Sequence, residues 1–182
     1  RAQNGADPRV EYFRRGSAAS HLTIEDARDV DFQALNHLHA TGITPALSES
    51  ACQLSHHLME GARAHGASIS FDPNLRPSLW PSENVMRSTL NELASRADWV
   101  LPGLSEGQLL TGQKTPYDIA GYYLDQGASA VIIKLGPEGS YYRGNLDGQE
   151  ESFTVAGCHV AEVVDTVGAG DTFNAGILAH LF

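Results

Sequence analysis

Cysteine is scarce: Cys52 and Cys158 are the only two in 182 residues. No disulfide framework is expected, and both are read as buried free thiols. Long hydrophobic runs are missing too. Nothing approaches the roughly eighteen apolar residues of a membrane span, and the first residues show no basic-then-apolar secretion signal. The chain is therefore read as soluble and cytoplasmic. Positive charge is short, with 12 Lys and Arg against 22 Asp and Glu and a net charge of −10. That balance excludes the basic face a nucleic-acid backbone needs, while leaving room for a nucleotide held by local amides and a few placed cations. No internal repeat, low-complexity tract or interdomain linker is visible. The histidines His37, His39, His56 and His57 have no third partner at metal-ligand spacing, so no zinc site is expected.

What is present is a globular composition, 42% hydrophobic and 19% charged, long enough for one core. Helical and strand patterns alternate along it. Val10 to Arg15 reads as a strand with Tyr12 and Arg14 on one face. A weak helix is expected over Asp26 to His37 and a short strand from His37 to Thr44. Leu47, Ala51, Leu54, Leu58 and Ala62 mark one helix face, capped by Ser48 or Ser50 and ended by Gly66. Ser68 to Phe71 is a strand, Ser82 caps a helix with face Met86, Leu90, Leu93, Ala94 and Ala97, and Trp99 to Leu101 is the next strand. A short helix runs from Ser105 to about Leu110, and Thr115 and Pro116 open another. Val131 to Ile133 reads as a buried strand. Tyr141 to Arg143 and Glu151 to Val155 flank residues 144–148 as a hairpin. Tyr122, Tyr123, Tyr141 and Tyr142 are assigned to core and edge packing. This is an α/β layered sheet, mostly parallel with an antiparallel edge.

The stretch Asp165-Thr166-Val167-Gly168-Ala169-Gly170-Asp171-Thr172-Phe173 carries the chemistry. An apolar run, Val160 to Val164, precedes it, and Phe173, Ile177, Leu178 and Leu181 follow at helical spacing, so the glycines fall at a strand-to-helix junction. Glycines there let backbone approach a ligand, and the first-turn amides with the positive helix end make an anion site. A carboxylate at Asp171 repels an anion unless it has a task, such as taking a proton from an attacking hydroxyl. The alternative is an ordinary helix start with Asp171 complementing the dipole.

The nine-residue string resembles the C-terminal signature of the ribokinase-like (PfkB) carbohydrate kinases. The resemblance implies that Asp171 deprotonates a sugar hydroxyl. It also implies that the amides of Gly168, Ala169 and Gly170 stabilise the transferred phosphoryl group, an effect of about 3 kcal/mol per donor in comparable sites. It further implies a Rossmann-type three-layer fold, with ATP and Mg²⁺ as cofactors.

Three segments resemble one branch of that family, the 2-keto-3-deoxygluconate kinases. They are Tyr12 to Ala18, Gly42 to Leu47, and Asp72-Pro73-Asn74-Leu75-Arg76 with Leu79-Trp80. Tyr12 and Arg14 share a strand face, and Asn74 and Arg76 share a parity, so each guanidinium has a polar neighbour with which to grip a carboxylate. The resemblance implies Tyr12, Arg14, Asn74 and Arg76 as contacts to an acid sugar, phosphorylated at its 6-hydroxyl. A neutral-sugar kinase of the fructokinase or ribokinase type is the nearer alternative, and a non-catalytic truncated ATP-binding relic the further one.

Pro102 to Glu106 resembles the family's Asn-x-x-Glu element with Gly103 in place of the asparagine, implying Glu106 as an indirect organiser of magnesium and phosphates. Lys134 with Gly136 and Gly139 matches the Lys-x-Gly-x-x-Gly turn that approaches ATP phosphates. Asp165, with the carbonyl of Val167, is implied in holding a monovalent cation such as K⁺. Residues 1–16 are expected to be a lid-strand remnant and 17–182 a partial kinase core, with homo-oligomerisation of the full-length protein through the lid. Arg1 is not an initiator and Phe182 falls inside the helix opened by the motif. The chain is thus expected to be a piece, poorly active alone, of a kinase with about a hundred residues before it and some tens after.

Overall fold

The computed structural model describes residues 16–146, 148–161, 163 and 165–181. The strand expected at Val10 to Arg15, with Tyr12 and Arg14, lies outside them. Four strands, β1 (His37–Thr41), β2 (Ser68–Asp72), β3 (Trp99–Val100) and β4 (Ala130–Lys134), pair in parallel and in chain order. β5 (Gly139–Leu146) and β6 (Gln149–Ala156) then add antiparallel to β4. The connections are helical: α1 (Glu49–Ala64), α2 (Glu83–Ala94), then α3 (Leu104–Thr111) and α4 (Pro116–Leu124). Right-handed crossovers between strands in sequential order place all of these on one face.

Local chemistry sets these boundaries. Ser48, Ser82 and Thr115 each accept an N-terminal amide through the side-chain oxygen, at 3.1, 3.3 and 3.1 Å, and start α1, α2 and α4. Gly112, left-handed at φ 75°, ends α3. Ala51, Leu54, Ser55, Met59 and Ala62 are the buried residues of α1, so its inward face turns slightly past Leu58 to Met59. Met86, Leu90, Leu93 and Ala94 of α2 and Ile119, Ala120 and Tyr123 of α4 pack on Ile69, Phe71, Val100, Val131 and Ile133 of the sheet. Each fully buried Leu, Ile or Phe here contributes about 1.5–3 kcal/mol of burial.

The other sheet face is polar in β1 and β2. Ser68, Ser70 and Asp72 alternate with Ile69 and Phe71, and they stand beside His37, His39 and Thr41. His37 Nδ1 meets Ser68 Oγ at 2.8 Å, His37 Nε2 meets Ser70 Oγ at 2.8 Å, and His39 Nδ1 meets the same Ser70 oxygen at 2.7 Å. α5 (Ala169–Leu181) reaches this face through Asn174, which bonds Asp72.

Four expectations change. Asp26 to His37 is not a helix: Ile24–Ala27 is one 3-10 turn, where Asp26 accepts the Thr23 N–H, and turns follow, with Asp31 accepting the Gln33 amide. Acidic side chains that bond nearby backbone in this way compete with helix propagation. Residues 144–146 belong to β5, where Gly144 lies opposite Glu151 and packs against Ala130, so the hairpin turn is tighter than expected. No strand precedes α5 among the described residues of 157–168, so the glycines sit at a loop-to-helix junction. Cys158 is exposed and Cys52 half-buried, so the thiols are not a buried pair.

Candidate active site

The parallel strands deliver four loops to one edge of the sheet, the edge where ligands bind in open α/β folds. The loop after β2 is the most constrained. Asn74 has φ 40°, left-handed for a residue with a side chain. Its N–H is held by Asp72 Oδ1 at 3.1 Å, a local bond that stabilises such a turn. The Asp72 carbonyl accepts the Gly42 N–H at 2.8 Å, which ties the loop after β1 to it. Arg76 Nη1 donates to the carbonyls of Leu75 at 2.7 Å and Asn74 at 3.3 Å, so the guanidinium lies along its own loop.

Glu106 cross-links two of the loops. Its Oε2 accepts the Gly103 N–H at 2.7 Å and caps α3, while Oε1 accepts the Leu75 N–H at 2.8 Å. Gly103 is thus the N-cap of α3, with its amide satisfied by the glutamate three residues on. Lys134, at the end of β4, places Nζ 2.6 Å from Oδ2 of Asp72, whose side chain is only 3% exposed.

At the start of α5, Gly168 has φ 79°, which only glycine adopts readily. The turn it makes is closed by Ala169 N–H on the Thr166 carbonyl at 3.2 Å, and Asp165 Oδ1 accepts the Val167 N–H at 2.9 Å. The Ala169 amide is engaged in that turn. Asp171 occupies the first turn of the helix and is exposed to solvent.

Three adjoining cavities form a trench over these loops. One of about 390 Å³ is lined by His39, Thr41, Ile43, Asp171 and Leu178, among others. The next, about 520 Å³, brings together Asn74, Arg76, Glu106, Lys134, Gly168, Gly170 and Asp171. The third, about 670 Å³, is lined by Lys134, Gly136, Gly139, Ala169 and Phe173, with Gly157, His159, Val160 and Val163 among others. Asp171 is shared by the first two, and Lys134 and Gly170 by the second and third. The residues singled out in the sequence therefore converge here, apart from Asp165, which lines none of the three, and from Tyr12 and Arg14. Among the described residues, no three His, Cys, Asp or Glu side chains are grouped to hold a metal ion.

Partial desolvation against the sheet holds the His39 imidazole, which is still open to solvent on one side, below the ordinary histidine pKa. Asp72 and Asp171 oppose that shift and Lys134 adds to it. His37 is lowered by burial and then by His39. Both rings are accordingly biased toward the neutral form.

The match to the family model of the pfkB family carbohydrate kinases runs over residues 3–182. The chain belongs to this family. It is 53% identical over 175 residues to a 2-dehydro-3-deoxygluconokinase of Bacillus subtilis (strain 168), an alignment covering 96% of this chain and 53% of that protein. Among solved structures, a PfkB protein from Polaromonas sp. JS666 superposes with a TM-score of 0.86 at 45% identity, covering 98% of this chain and 57% of the other. A double-mutant fructokinase from Vibrio cholerae O395, solved with fructose, ADP and potassium ion, superposes at 0.80 with 27% identity, covering 90% and 50%. This pfkB chain thus spans about half the length of the proteins it matches.

The site residues expected from the sequence do not include Asp72, Asn174 or His39, which also line the first cavity. Asp72 opens the segment Asp72 to Arg76, whose expected contacts are Asn74 and Arg76 alone. Asn174 follows Asp171 by three positions, one helical turn on the same face, and that spacing was the available signal. For His39 the available signal is its alternation with His37 on a strand, which puts both rings on one face.

Proposed function

We propose that the protein carrying this chain transfers the γ-phosphoryl group of ATP to a hydroxyl of a sugar acid, with 2-dehydro-3-deoxygluconate as substrate and its 6-phosphate as product. The observation that carries this reading is the convergence of Arg76, Asn74, Lys134 and Asp171 on one cavity of about 520 Å³. The 53% identity to a 2-dehydro-3-deoxygluconokinase supports the substrate.

In this reading the sugar acid lies between the loop after β2 and α5, with its carboxylate end toward Arg76 and Asn74. Tyr12 and Arg14 complete the grip. Asp171 takes the proton of the attacking hydroxyl as the oxygen–phosphorus bond forms. Charge developing on the phosphoryl oxygens is met by the amides of Gly168 and Gly170 and the positive end of α5, while the Ala169 amide holds the turn that presents them. The nucleotide runs along Lys134, Gly136 and Gly139 into the third cavity. Magnesium, when bound, neutralises phosphate charge, and the donor set fits an outer role for Glu106, since both its oxygens already accept amides and phosphates commonly supply most Mg²⁺ ligands. Asp165 and the Val167 carbonyl are the residues of this chain suited to K⁺. Homo-oligomerisation of the full-length protein through the lid and a cytoplasmic location belong to the same reading.

A neutral sugar is the second reading, favoured by the likeness to a fructose-bound fructokinase. Kinetics with 2-dehydro-3-deoxygluconate and with fructose, for the parent protein and Arg76→Ala, separate the two. Preference for the acid, lost in the variant, supports the proposal. Preference for fructose with a harmless substitution refutes it.

A further inference from the structure

The carboxylate of Asp72 does more than shape its own loop. It is buried, at 2% exposure, on the polar face of the sheet, and it is met from three elements at once. Lys134 at the end of β4 and Asn174 in α5 both donate to Oδ2, each at 2.6 Å, while the Asn74 N–H occupies Oδ1. Lys134 Nζ also lies 3.9 Å from where a Cβ on Gly170 would stand, directly against the first turn of α5.

Asn174 itself is 2% exposed, and its Oδ1 has no hydrogen-bond partner among the described residues. An orphaned buried carbonyl is destabilising, because it has given up its bonds to water and gained none in return. An apolar side chain of the same size carries no such cost. The amide is explained if its N–H₂ group is needed on Asp72, because a carboxylate accepts and only a donor can meet it.

We infer that Asp72 is a positioning residue that fixes the catalytic end of α5, through Asn174, and the Lys134 ammonium, as one unit. The inference deepens the kinase reading and rests on it. Asp171 lies one turn before Asn174, so a shift of the Asn174 anchor moves the base relative to the hydroxyl it must reach. Misplacement of a reacting group by about 1 Å costs on the order of 10²-fold in rate. The same carboxylate holds Lys134 between the second and third cavities, so the sugar side and the nucleotide side share one reference point. Asn74, the substrate-facing residue of the loop after β2, is set by the other oxygen of that group.

The test uses the catalytically competent protein carrying this chain, with Asn174→Leu and Asp72→Asn compared with the parent. Asn174→Leu keeps the branched side-chain outline with slightly larger methyl groups and removes both the donor and the orphaned oxygen, and its cooperative unfolding checks that the site accommodates it. The readouts are kcat, KM for the sugar acid, ATP affinity by calorimetry and the cooperativity of thermal unfolding. The expected result is a kcat lowered by about 10²-fold in Asn174→Leu, with KM and ATP affinity within about threefold of the parent and cooperative unfolding retained. Asp72→Asn is expected to lose at least as much in kcat and to weaken ATP binding as well, because Lys134 is released. An unchanged kcat in Asn174→Leu overturns the inference. So does a loss shared equally by kcat, KM and unfolding cooperativity, which marks a purely structural role. A parent protein that phosphorylates no sugar overturns the kinase reading and this inference with it, whereas an active parent with indifferent variants overturns the inference alone.

Discussion

Gly42 is packed against Pro73 so closely that a Cβ at position 42 would fall 2.0 Å from the Pro73 carbonyl oxygen and 2.8 Å from Leu90 Cδ2. Neither neighbour is free to retreat, since one is backbone and the other belongs to a fully buried side chain. Gly42→Ala is expected to push the loop carrying Asn74 and Arg76 away from β1. Overpacking of this kind costs about 1–3 kcal/mol. Steady-state kinetics should show KM for the sugar rising more than KM for ATP.

Glu106 joins Gly103 to Leu75 by one bond on each carboxylate oxygen. Removing it in Glu106→Ala leaves two amides without their charged acceptor, and hydrogen bonds to charged groups contribute about 1.5–3 kcal/mol each. Denaturant unfolding should show a loss of that order, with KM raised for both substrates because loops on both sides relax. Glu106→Gln, which keeps one acceptor oxygen, should fall between the parent and the alanine variant.

The histidine face gives a pH dependence with a definite sign. His37 and His39 are held below the ordinary value of 6.5, chiefly by burial. The unfolded chain therefore binds protons more readily than the folded one. The contribution of these rings is complete above pH 6.5 and is lost as pH falls through the lowered folded values. Melting temperature is expected to drop between about pH 7 and pH 5, and His39→Gln should flatten that drop.

Most of the architecture was legible because it is written locally. Ser82 before an apolar face, Thr115-Pro116, and the unbroken Val131-Ile132-Ile133 each carry their own explanation. The Asp26 to His37 segment misled because its acidic side chains bond backbone two and three residues away, which apolar periodicity does not record. The hairpin turn reads wider in the sequence than it is because Gly144 looks like a turn residue, whereas it is glycine for its closeness to Ala130. Arg76, Lys134 and Asp171 could be named from motifs. The bonds from Asp72 to Lys134 and Asn174 span 62 and 102 positions, and only the folded sheet brings those ends together.

The central claim is that Asp171, at the head of α5 and shared by two of the cavities, is the base of a sugar-acid kinase. Its most direct test is the initial rate of ATP-dependent phosphorylation of 2-dehydro-3-deoxygluconate by the parent protein and by Asp171→Asn, with ATP affinity measured alongside. The account predicts a rate lower by about 10²–10⁴-fold in the variant with ATP binding retained. An equal rate in the two proteins would contradict it.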